Sequence, residues 1–157
     1  MNNECCPKFD PKPWEDHEFT WDGKLFVKDH MRCVLHIPLN FGGIMTRQMK
    51  VMEAAGACPE ADDFVVMTGN DTLWGADVFL AATREVPGAQ MVRLSGTFYS
   101  RVYEGPYSRM GRWIADYKAA LHGLEKPVKE LFFYYTTCPK CAKKWGKNYV
   151  VIIGRLT

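Results

Sequence analysis

Hydrophobic and polar positions follow two different periods along the chain, one typical of strands and one typical of helices. Residues 91–104 alternate like a strand, whereas residues 106–123 repeat at helical spacing, and a Glu-Gly-Pro-Tyr turn at 104–107 joins them. Pro106 suits the first turn of the predicted helix, where a missing N–H breaks no hydrogen bond. Gly123 is expected to end the helix.

The first half of the chain predicts a similar series of elements. Residues 25–39 have the composition of a strand, and Asn40 is a plausible N-cap for a helix that ends at Gly56. Three methionines recur in that helix at helical spacing: Met45, Met49 and Met52. Because Gly42 and Gly43 weaken the first turn, the helix is expected to start late.

Four further apolar runs predict strands. They cover residues 63–69, 74–83, 129–137 and 149–156. The predicted order is therefore β-α-β-β followed by a second β-α-β-β. This order favours an α+β fold, in which duplicated β-α-β-β units form an antiparallel sheet with two helices on one face. Residues 25–157 are expected to be a single domain, with pseudo-repeats at about 25–86 and 87–157.

Residues 1–24 are rich in proline, tryptophan and charge. Closely spaced prolines disfavour regular structure, so this segment is predicted to be an extended N-terminal arm. Four aromatic side chains could pin the arm to the domain: Phe9, Trp14, Phe19 and Trp21.

Composition narrows the class of protein. A chain of 157 residues that is 47% hydrophobic can bury a real core, and a net charge of +2 argues against a nucleic-acid partner. The longest apolar runs fall well short of the ~20 residues of a membrane span, and the N-terminus lacks a secretory apolar region. We therefore expect a cytoplasmic location, where six cysteines would be mostly reduced thiols or metal ligands. An aromatic fraction of 13% suggests a ring-lined cavity.

Three segments carry a resemblance to a known family. These are LSGTFYSRVYEGPYSRMGRWIADY (94–117), LFFYYTTCP (131–139) and YVVIIGRL (149–156). They resemble the GyrI-like (gyrase-inhibitor-like) small-molecule-binding family, which includes the effector-binding domains of multidrug regulators and is related in fold to the SOUL proteins. The resemblance rests on a Gly-Pro-Tyr elbow, a tryptophan in the following helix and two later strands. It covers about the C-terminal 65 residues, while the N-terminal half matches only in the order of its elements.

The resemblance implies that a small hydrophobic or aromatic molecule binds in a cleft between the two repeats. Some members of the family hydrolyse reactive small molecules, so a detoxification-type hydrolase is the enzymatic version of this prediction. Drug-binding members often carry a glutamate two residues before the tyrosine that would correspond to Tyr135, but Phe133 stands there. A cation-binding effector domain is therefore not expected.

Candidate site residues surround the Glu-Gly-Pro-Tyr turn. If Phe98 and Val102 face the core, the alternation of the strand places Tyr99 and Tyr103 on a cleft wall. Glu104 at the end of the strand could merely cap the helix, or it could act with Tyr103 in general acid–base catalysis. The predicted catalytic residues are therefore Glu104 and Tyr103. The predicted ligand-binding residues are Trp74, Tyr99, Tyr107, Trp113 and Tyr135.

Cys138-Pro-Lys-Cys141 is a CxxC motif, which suits a metal knuckle or a redox pair. A structural zinc ion needs about four ligands, and Cys5 and Cys6 could supply the others. Structural zinc, a redox or disulfide pair and free thiols all stay open. A non-catalytic interaction or regulatory protein with a structural zinc knuckle is the alternative function. The remaining two cysteines are predicted to be small apolar residues: Cys33 and Cys58.

Overall fold

The computed structural model describes residues 10–34, 37–60, 64–69, 72–136 and 148–156. Its strands are β1 His17–Val34, β2 Ile37–Pro38, β3 Val66–Gly69, β4 Gly75–Ala81, β5 Met91–Glu104, β6 Glu130–Tyr135 and β7 Tyr149–Arg155. Its α-helices are α1 Phe41–Ala54 and α2 Met110–Gly123, and short 3-10 helices cover Lys12–Trp14 and Tyr107–Arg109. Two helices with antiparallel strands make an α+β fold, which confirms the predicted class.

Several element boundaries differ from the predictions. β1 begins at His17, so part of the segment predicted to be an irregular arm is regular strand. α1 begins at Phe41 and includes both glycines of its first turn, so the expected late start is wrong. Asn40 is the N-cap residue, but its side-chain oxygen accepts a hydrogen bond from the backbone N–H of Arg32 instead of capping the helix. Gly56 does end the helix, with φ of 65° in the left-handed region.

The chain divides into two compact units, of which the first consists of Trp21–Ser95. In this unit β4 lies between β1 and β3 and is antiparallel to both. α1 covers one face of these strands through Ile44 and Met52, which are almost fully buried. The strands contribute the rest of this core, including Val27, Met31, Cys33, Val66, Ala76, Val78 and Leu80.

The second unit consists of Met1–Thr20 and Gly96–Thr157. In this unit β7 lies between β5 and β6 and is antiparallel to both. α2 covers one face of these strands, and its side chains Trp113, Tyr117 and Leu121 are buried, as the predicted stripe required. The opposite face of the strands is also covered, because Phe98, Ser100, Val151 and Ile153 are fully buried.

Candidate active site at the end of strand β5

The tyrosine face of β5 lies under α2. Tyr99 and Tyr103 belong to one packed cluster with Trp113 and Tyr135, so the structure brings four of the predicted site residues together. Tyr99 and Trp113 are buried there, and Tyr103 and Tyr135 are half-buried. This face was expected to be an open cleft wall. It is instead the helix-covered face of the strands, because the buried stripe of α2 packs on it.

Tyr103 occupies the exposed end of this cluster. Its ring stacks on Trp113, with ring centroids 5.7 Å apart and an angle of 22° between the planes. Its Oη donates a hydrogen bond to Asp116 Oδ2 over 2.7 Å. Burial raises the pKa of the Tyr103 phenol well above its usual value, and the hydrogen bond to Asp116 raises it further, against a smaller lowering by Arg101. The phenol is therefore protonated throughout the neutral pH range.

Arg101 connects this phenol–carboxylate pair to the N-terminal segment. Its Nη2 lies 3.5 Å from Asp116 Oδ2, and its Nε lies 3.3 Å from Asp16 Oδ1. Asp16 is one of two described non-glycine residues with positive φ, at 43°. Aspartate tolerates this conformation better than most residues. One cation, two carboxylates and one phenol thus meet at the end of β5.

A buried hydrogen bond fixes the turn that carries Asp16. The hydroxyl of Ser100 is fully buried and donates to the backbone oxygen of Trp14 over 2.7 Å. The ring of Trp14 packs edge-on against Tyr134, with centroids 5.5 Å apart. The N-terminal segment is therefore attached to β5 next to Arg101, which restricts where the Asp16 carboxylate can lie.

Glu104 lies at the exposed end of β5. Because successive residues of a strand face opposite sides, its carboxylate points away from the Tyr103 face. The carboxylate that contacts Tyr103 is that of Asp116. The following turn is fixed by Gly105, whose N–H donates to Asn148 O over 3.0 Å and whose own oxygen accepts from Asn148 Nδ2 over 2.8 Å. Gly105 has φ of 138°, a region that is almost exclusive to glycine.

The other predicted site residues lie elsewhere. Trp74 belongs to the Trp21–Ser95 unit, and it is 65% exposed. The side chain of Tyr107 lies outside what the structure describes, although its backbone forms part of a 3-10 turn. Four predicted metal ligands lie outside the described residues: Cys5, Cys6, Cys138 and Cys141. The zinc knuckle and the function that depends on it therefore stay predictions.

Within the described residues, no group of three or more histidine, cysteine, aspartate or glutamate side chains is arranged to hold a metal ion. Cys33 is buried in the core under α1, and Cys58 is half-buried. Burial, with a smaller contribution from Glu53, raises the pKa of Cys58. Cys33 therefore packs in the core as predicted.

Sequence reasoning missed the polar half of this cluster. Asp116 follows Trp113 by three residues, and this spacing places both on the same side of a helix. That spacing was a usable signal for Asp116. Asp16 had no such signal, because its contact with Arg101 joins residues that are far apart in the chain.

A separate shallow groove of about 460 Å³ lies at the C-terminal end of α1. It is lined by Val51, Ala54, Ala55, Arg84, Glu85, Val86 and Pro87. None of the predicted site residues lines it, and its two charged residues are exposed. The groove therefore lacks the convergent polar groups of a catalytic site.

A model of a family described as bacterial hydrolase matches residues 1–156. The chain belongs to this bacterial hydrolase family. A crystal structure of a hydrolase encoded by lin2189 from Listeria innocua is similar, with a TM-score of 0.63 and 9% sequence identity over 91% of this chain and 92% of that chain. At this identity the similarity shows a shared fold. No curated protein matches the chain. Among the described helices of this bacterial hydrolase family member, none is both long enough and apolar enough to cross a membrane.

Proposed function

We propose that the protein hydrolyses small organic molecules that carry a reactive electrophilic carbon, with Tyr103, Asp116 and Arg101 as its polar catalytic group. Membership of the bacterial hydrolase family supports the type of reaction. The observation that carries the proposed site is the 2.7 Å hydrogen bond from Tyr103 Oη to Asp116 Oδ2, next to the Arg101 guanidinium.

The hydrogen-bonded pair of Tyr103 and Asp116 suits hydrolysis, in which a base accepts a proton from water and an acid donates a proton to the leaving oxygen. Water attacks the electrophilic carbon, and the Asp116 carboxylate accepts a proton from that water as the new carbon–oxygen bond forms. The bond from carbon to the leaving oxygen breaks, and the Tyr103 phenol gives its proton to that oxygen. The proton on Asp116 then passes along the existing hydrogen bond to Tyr103, which restores both groups.

The Tyr103 phenol is protonated at neutral pH, as an ordinary phenol is, so it has a proton to donate. Arg101 lies within 3.5 Å of Asp116 and stabilises negative charge on the group when the phenol loses its proton. The half-buried ring of Tyr103, stacked on Trp113, offers an apolar surface to the substrate. The proposed substrates are therefore small, neutral and partly hydrophobic.

Glu104 is the second candidate base. It lies at the exposed end of the same strand, and among the described residues its carboxylate has no hydrogen-bond or ion-pair partner. A substrate bound across the end of β5 could therefore be attacked by a water that Glu104 orients instead of Asp116. Separate substitutions of the two carboxylates distinguish these versions of the mechanism.

Turnover of a panel of activated aryl esters and strained-ring electrophiles tests the proposal. We expect Tyr103→Phe to lower kcat about 100-fold or more, since positioned acid–base groups contribute 10²–10⁴-fold. Asp116→Asn should lower kcat similarly if Asp116 is the base, and Glu104→Gln should do so if Glu104 is. Tyr134→Phe is the matched control for the phenol, because Tyr134 lies on the opposite side of the strands.

Binding has to be measured with turnover, since a non-catalytic binder is the competing interpretation. Quenching of tryptophan fluorescence gives the Kd of each variant for an unreactive analogue of a turned-over compound. If Tyr103→Phe keeps both kcat and Kd within twofold of wild type, the proposed site is wrong. If wild type turns over no member of the panel while still binding them, the proposed hydrolysis is wrong.

We also propose that the two compact units are copies of one β-α-β-β module. In one unit the order is β1, α1, β3, β4 with β4 between β1 and β3, and in the other it is β5, α2, β6, β7 with β7 between β5 and β6. Apart from the two-residue strand β2 and the short 3-10 helix Tyr107–Arg109, the order of elements and of strand pairing is the same, and this supports the proposal. Superposition of the Cα atoms of one unit on the other tests it.

A further inference from the structure

Arg101 is the residue through which the N-terminal segment contacts the proposed site. Its Nη2 lies 3.5 Å from Asp116 Oδ2, and its Nε lies 3.3 Å from Asp16 Oδ1. Nε and Nη2 belong to one planar guanidinium, so a contact at each of them fixes the plane of the group as well as its position. The contact with Asp116 is at the upper limit for a hydrogen bond, so by itself it orients the guanidinium only weakly.

The turn that carries Asp16 is closed against Ser100, which precedes Arg101 on β5. The Ser100 hydroxyl is fully buried, donates to the backbone oxygen of Trp14 over 2.7 Å and lies 3.3 Å from the backbone oxygen of His17. Backbone oxygens on both sides of Asp16 therefore contact the residue next to Arg101. This arrangement keeps the Asp16 carboxylate within reach of the guanidinium.

The backbone of Asp16 is suited to this turn. Its φ of 43° lies in the left-handed region, which aspartate and asparagine adopt more readily than most residues. Asp16→Asn therefore removes the charge and keeps the turn. The side chains of Asp16 and Arg101 are 62% and 29% exposed, and exposed ion pairs contribute little to stability. The contact can therefore be removed without unfolding the protein.

We infer that the N-terminal segment completes the proposed site, with Asp16 as the positioning residue that orients Arg101 toward Asp116 and Tyr103. This inference rests on the proposed hydrolytic function and adds a residue that acts only through Arg101. In the proposed reaction, Arg101 stabilises the negative charge that forms when Tyr103 gives up its proton. That stabilisation depends on orientation, because the attraction weakens as the guanidinium turns away toward solvent.

Asp16 also affects Arg101 through its own charge, and this effect has the opposite sign. Loss of orientation in Asp16→Asn lowers kcat, whereas loss of a negative charge that offsets the guanidinium would raise it. Because the Asp16 side chain is 62% exposed, water and salt screen its charge. Orientation is therefore the larger of the two effects, and kcat should fall.

Hydrolysis of 4-nitrophenyl acetate, an activated aryl ester, by the full-length chain tests the inference. We expect Asp16→Asn to lower kcat about tenfold, since misplacing a group by about 1 Å can cost about 100-fold. KM should change less than twofold, because Asp16 does not bind the substrate. Glu15→Gln is the matched control and should change kcat less than twofold. It removes the same charge from the neighbouring exposed residue, whose carboxylate has no hydrogen-bond or ion-pair partner among the described residues.

A double-mutant cycle shows whether Asp16 acts through Arg101. In an Arg101→Gln background, Asp16→Asn should change kcat less than twofold further, because the guanidinium that it orients is gone. A merely structural role of Asp16 would lower kcat equally in both backgrounds. Equal losses therefore overturn the inference, as does an unchanged or raised kcat in Asp16→Asn alone. Thermal unfolding of each variant checks that it is folded.

The same variants separate this inference from the proposed function. If Tyr103→Phe lowers kcat and Asp16→Asn does not, the inference is wrong and the proposed site stands. If Tyr103→Phe and Arg101→Gln both keep kcat within twofold of wild type, the proposed site is wrong and the inference is wrong with it. Both are also wrong if the wild type hydrolyses no activated ester.

The ¹H–¹⁵N resonance of the Arg101 Nε–H tests the contact without turnover. Its disappearance in Arg101→Gln assigns it. An Nε–H that contacts a carboxylate exchanges with water more slowly, so we expect faster exchange in Asp16→Asn and no change in Glu15→Gln. Unchanged exchange in Asp16→Asn would mean that Asp16 does not hold the guanidinium, and the inference would then be wrong.

Discussion

Gly154 lies under the hydroxyl of Tyr117, and this contact allows a quantitative prediction. Tyr117 is fully buried on α2, and its Oη donates to the backbone oxygen of Tyr99 over 2.7 Å. Tyr99 pairs with Gly154 across β5 and β7. The Tyr117 hydroxyl therefore contacts the paired strands at Gly154, where there is no side chain. A Cβ at 154 would lie 2.2 Å from that oxygen and 3.0 Å from Tyr117 Cζ.

Gly154→Ala is therefore expected to be strongly destabilising. Overpacking a core costs about 1–3 kcal/mol, and displacing the phenol from its acceptor removes a hydrogen bond worth about 1 kcal/mol. Together these give about 2–4 kcal/mol of lost unfolding free energy. For a chain of this size that corresponds to a decrease in Tm of about 5–15 °C.

A double-mutant cycle identifies the cause. In a Tyr117→Phe background the clashing oxygen is gone, so Gly154→Ala should cost at least about 1 kcal/mol less than it does in wild type. Gly111→Ala is the control. It replaces a helical glycine with no other atom within 4 Å of the new Cβ, and it should raise stability by about 0.5–1 kcal/mol. Urea unfolding at pH 7 measures all four variants. Additive effects of the two substitutions would refute the packing argument.

Three further predictions concern stability. Burial raises the pKa of Tyr117, so the unfolded chain loses the phenol proton at a lower pH than the folded chain does. The free energy of unfolding should therefore fall above about pH 10, by about 1.4 kcal/mol per pH unit. The midpoint of urea unfolding should fall less steeply with pH in Tyr117→Phe. Burial alone would raise the pKa of Asp29, but hydrogen bonds from Gln48, the His30 N–H and Arg47 hold it below its usual value. The stability it contributes should be lost as pH falls below about 4, and Asp29→Asn should flatten that loss in the same titration. Ser100→Ala should cost about 1–2 kcal/mol and speed hydrogen exchange in residues 10–20, because it removes the hydrogen bond to Trp14 O, whereas the exposed Ser108→Ala should change neither.

Periodicity predicted the elements of the second half of the chain well. The alternation over 91–104 matches the bounds of β5, and the helical stripe that includes Trp113, Tyr117 and Leu121 is the buried side of α2. These patterns are local, since each depends only on which face of a single element is buried. Local patterns of this kind can be read from sequence because the periods of helices and strands differ.

The predictions were wrong where contacts between residues far apart in the chain determine the local structure. Asn40 was expected to cap α1 with its side chain, but its side-chain oxygen accepts a hydrogen bond from the N–H of Arg32 instead. Gly42 and Gly43 were expected to delay the helix, yet burial of Ile44 in the core under α1 outweighs their weak propensity. The early start of β1 depends on residues of β5, such as Ser100, whose hydroxyl also lies 3.3 Å from the backbone oxygen of His17.

The sequence predicted the aromatic residues of the candidate site but not the carboxylate partner of Tyr103. Alternation correctly grouped Tyr99 with Tyr103, but it could not show which face of β5 the helix covers, because both faces carry large apolar residues. Burial of both Phe98 and Tyr99 shows that neither face is left open at this point of the strand. Sequence could identify the rings, whereas the carboxylate partner of Tyr103 required the packing of α2 on β5.

Packing of rings on rings accounts for part of the aromatic content of the chain. Phe19 stacks on Phe98 with centroids 5.7 Å apart, and Tyr103 stacks on Trp113 at the same distance. Such pairs contribute about 0.5–1.5 kcal/mol beyond their buried area, so rings that contact rings are stabilising without any ligand. The groups left accessible for chemistry are then polar groups that packing holds in place, such as Asp116 beside a stacked tyrosine. In this chain, the sequence signal for the proposed site is therefore the spacing of Asp116 three residues after the buried Trp113, together with the aromatic residues themselves.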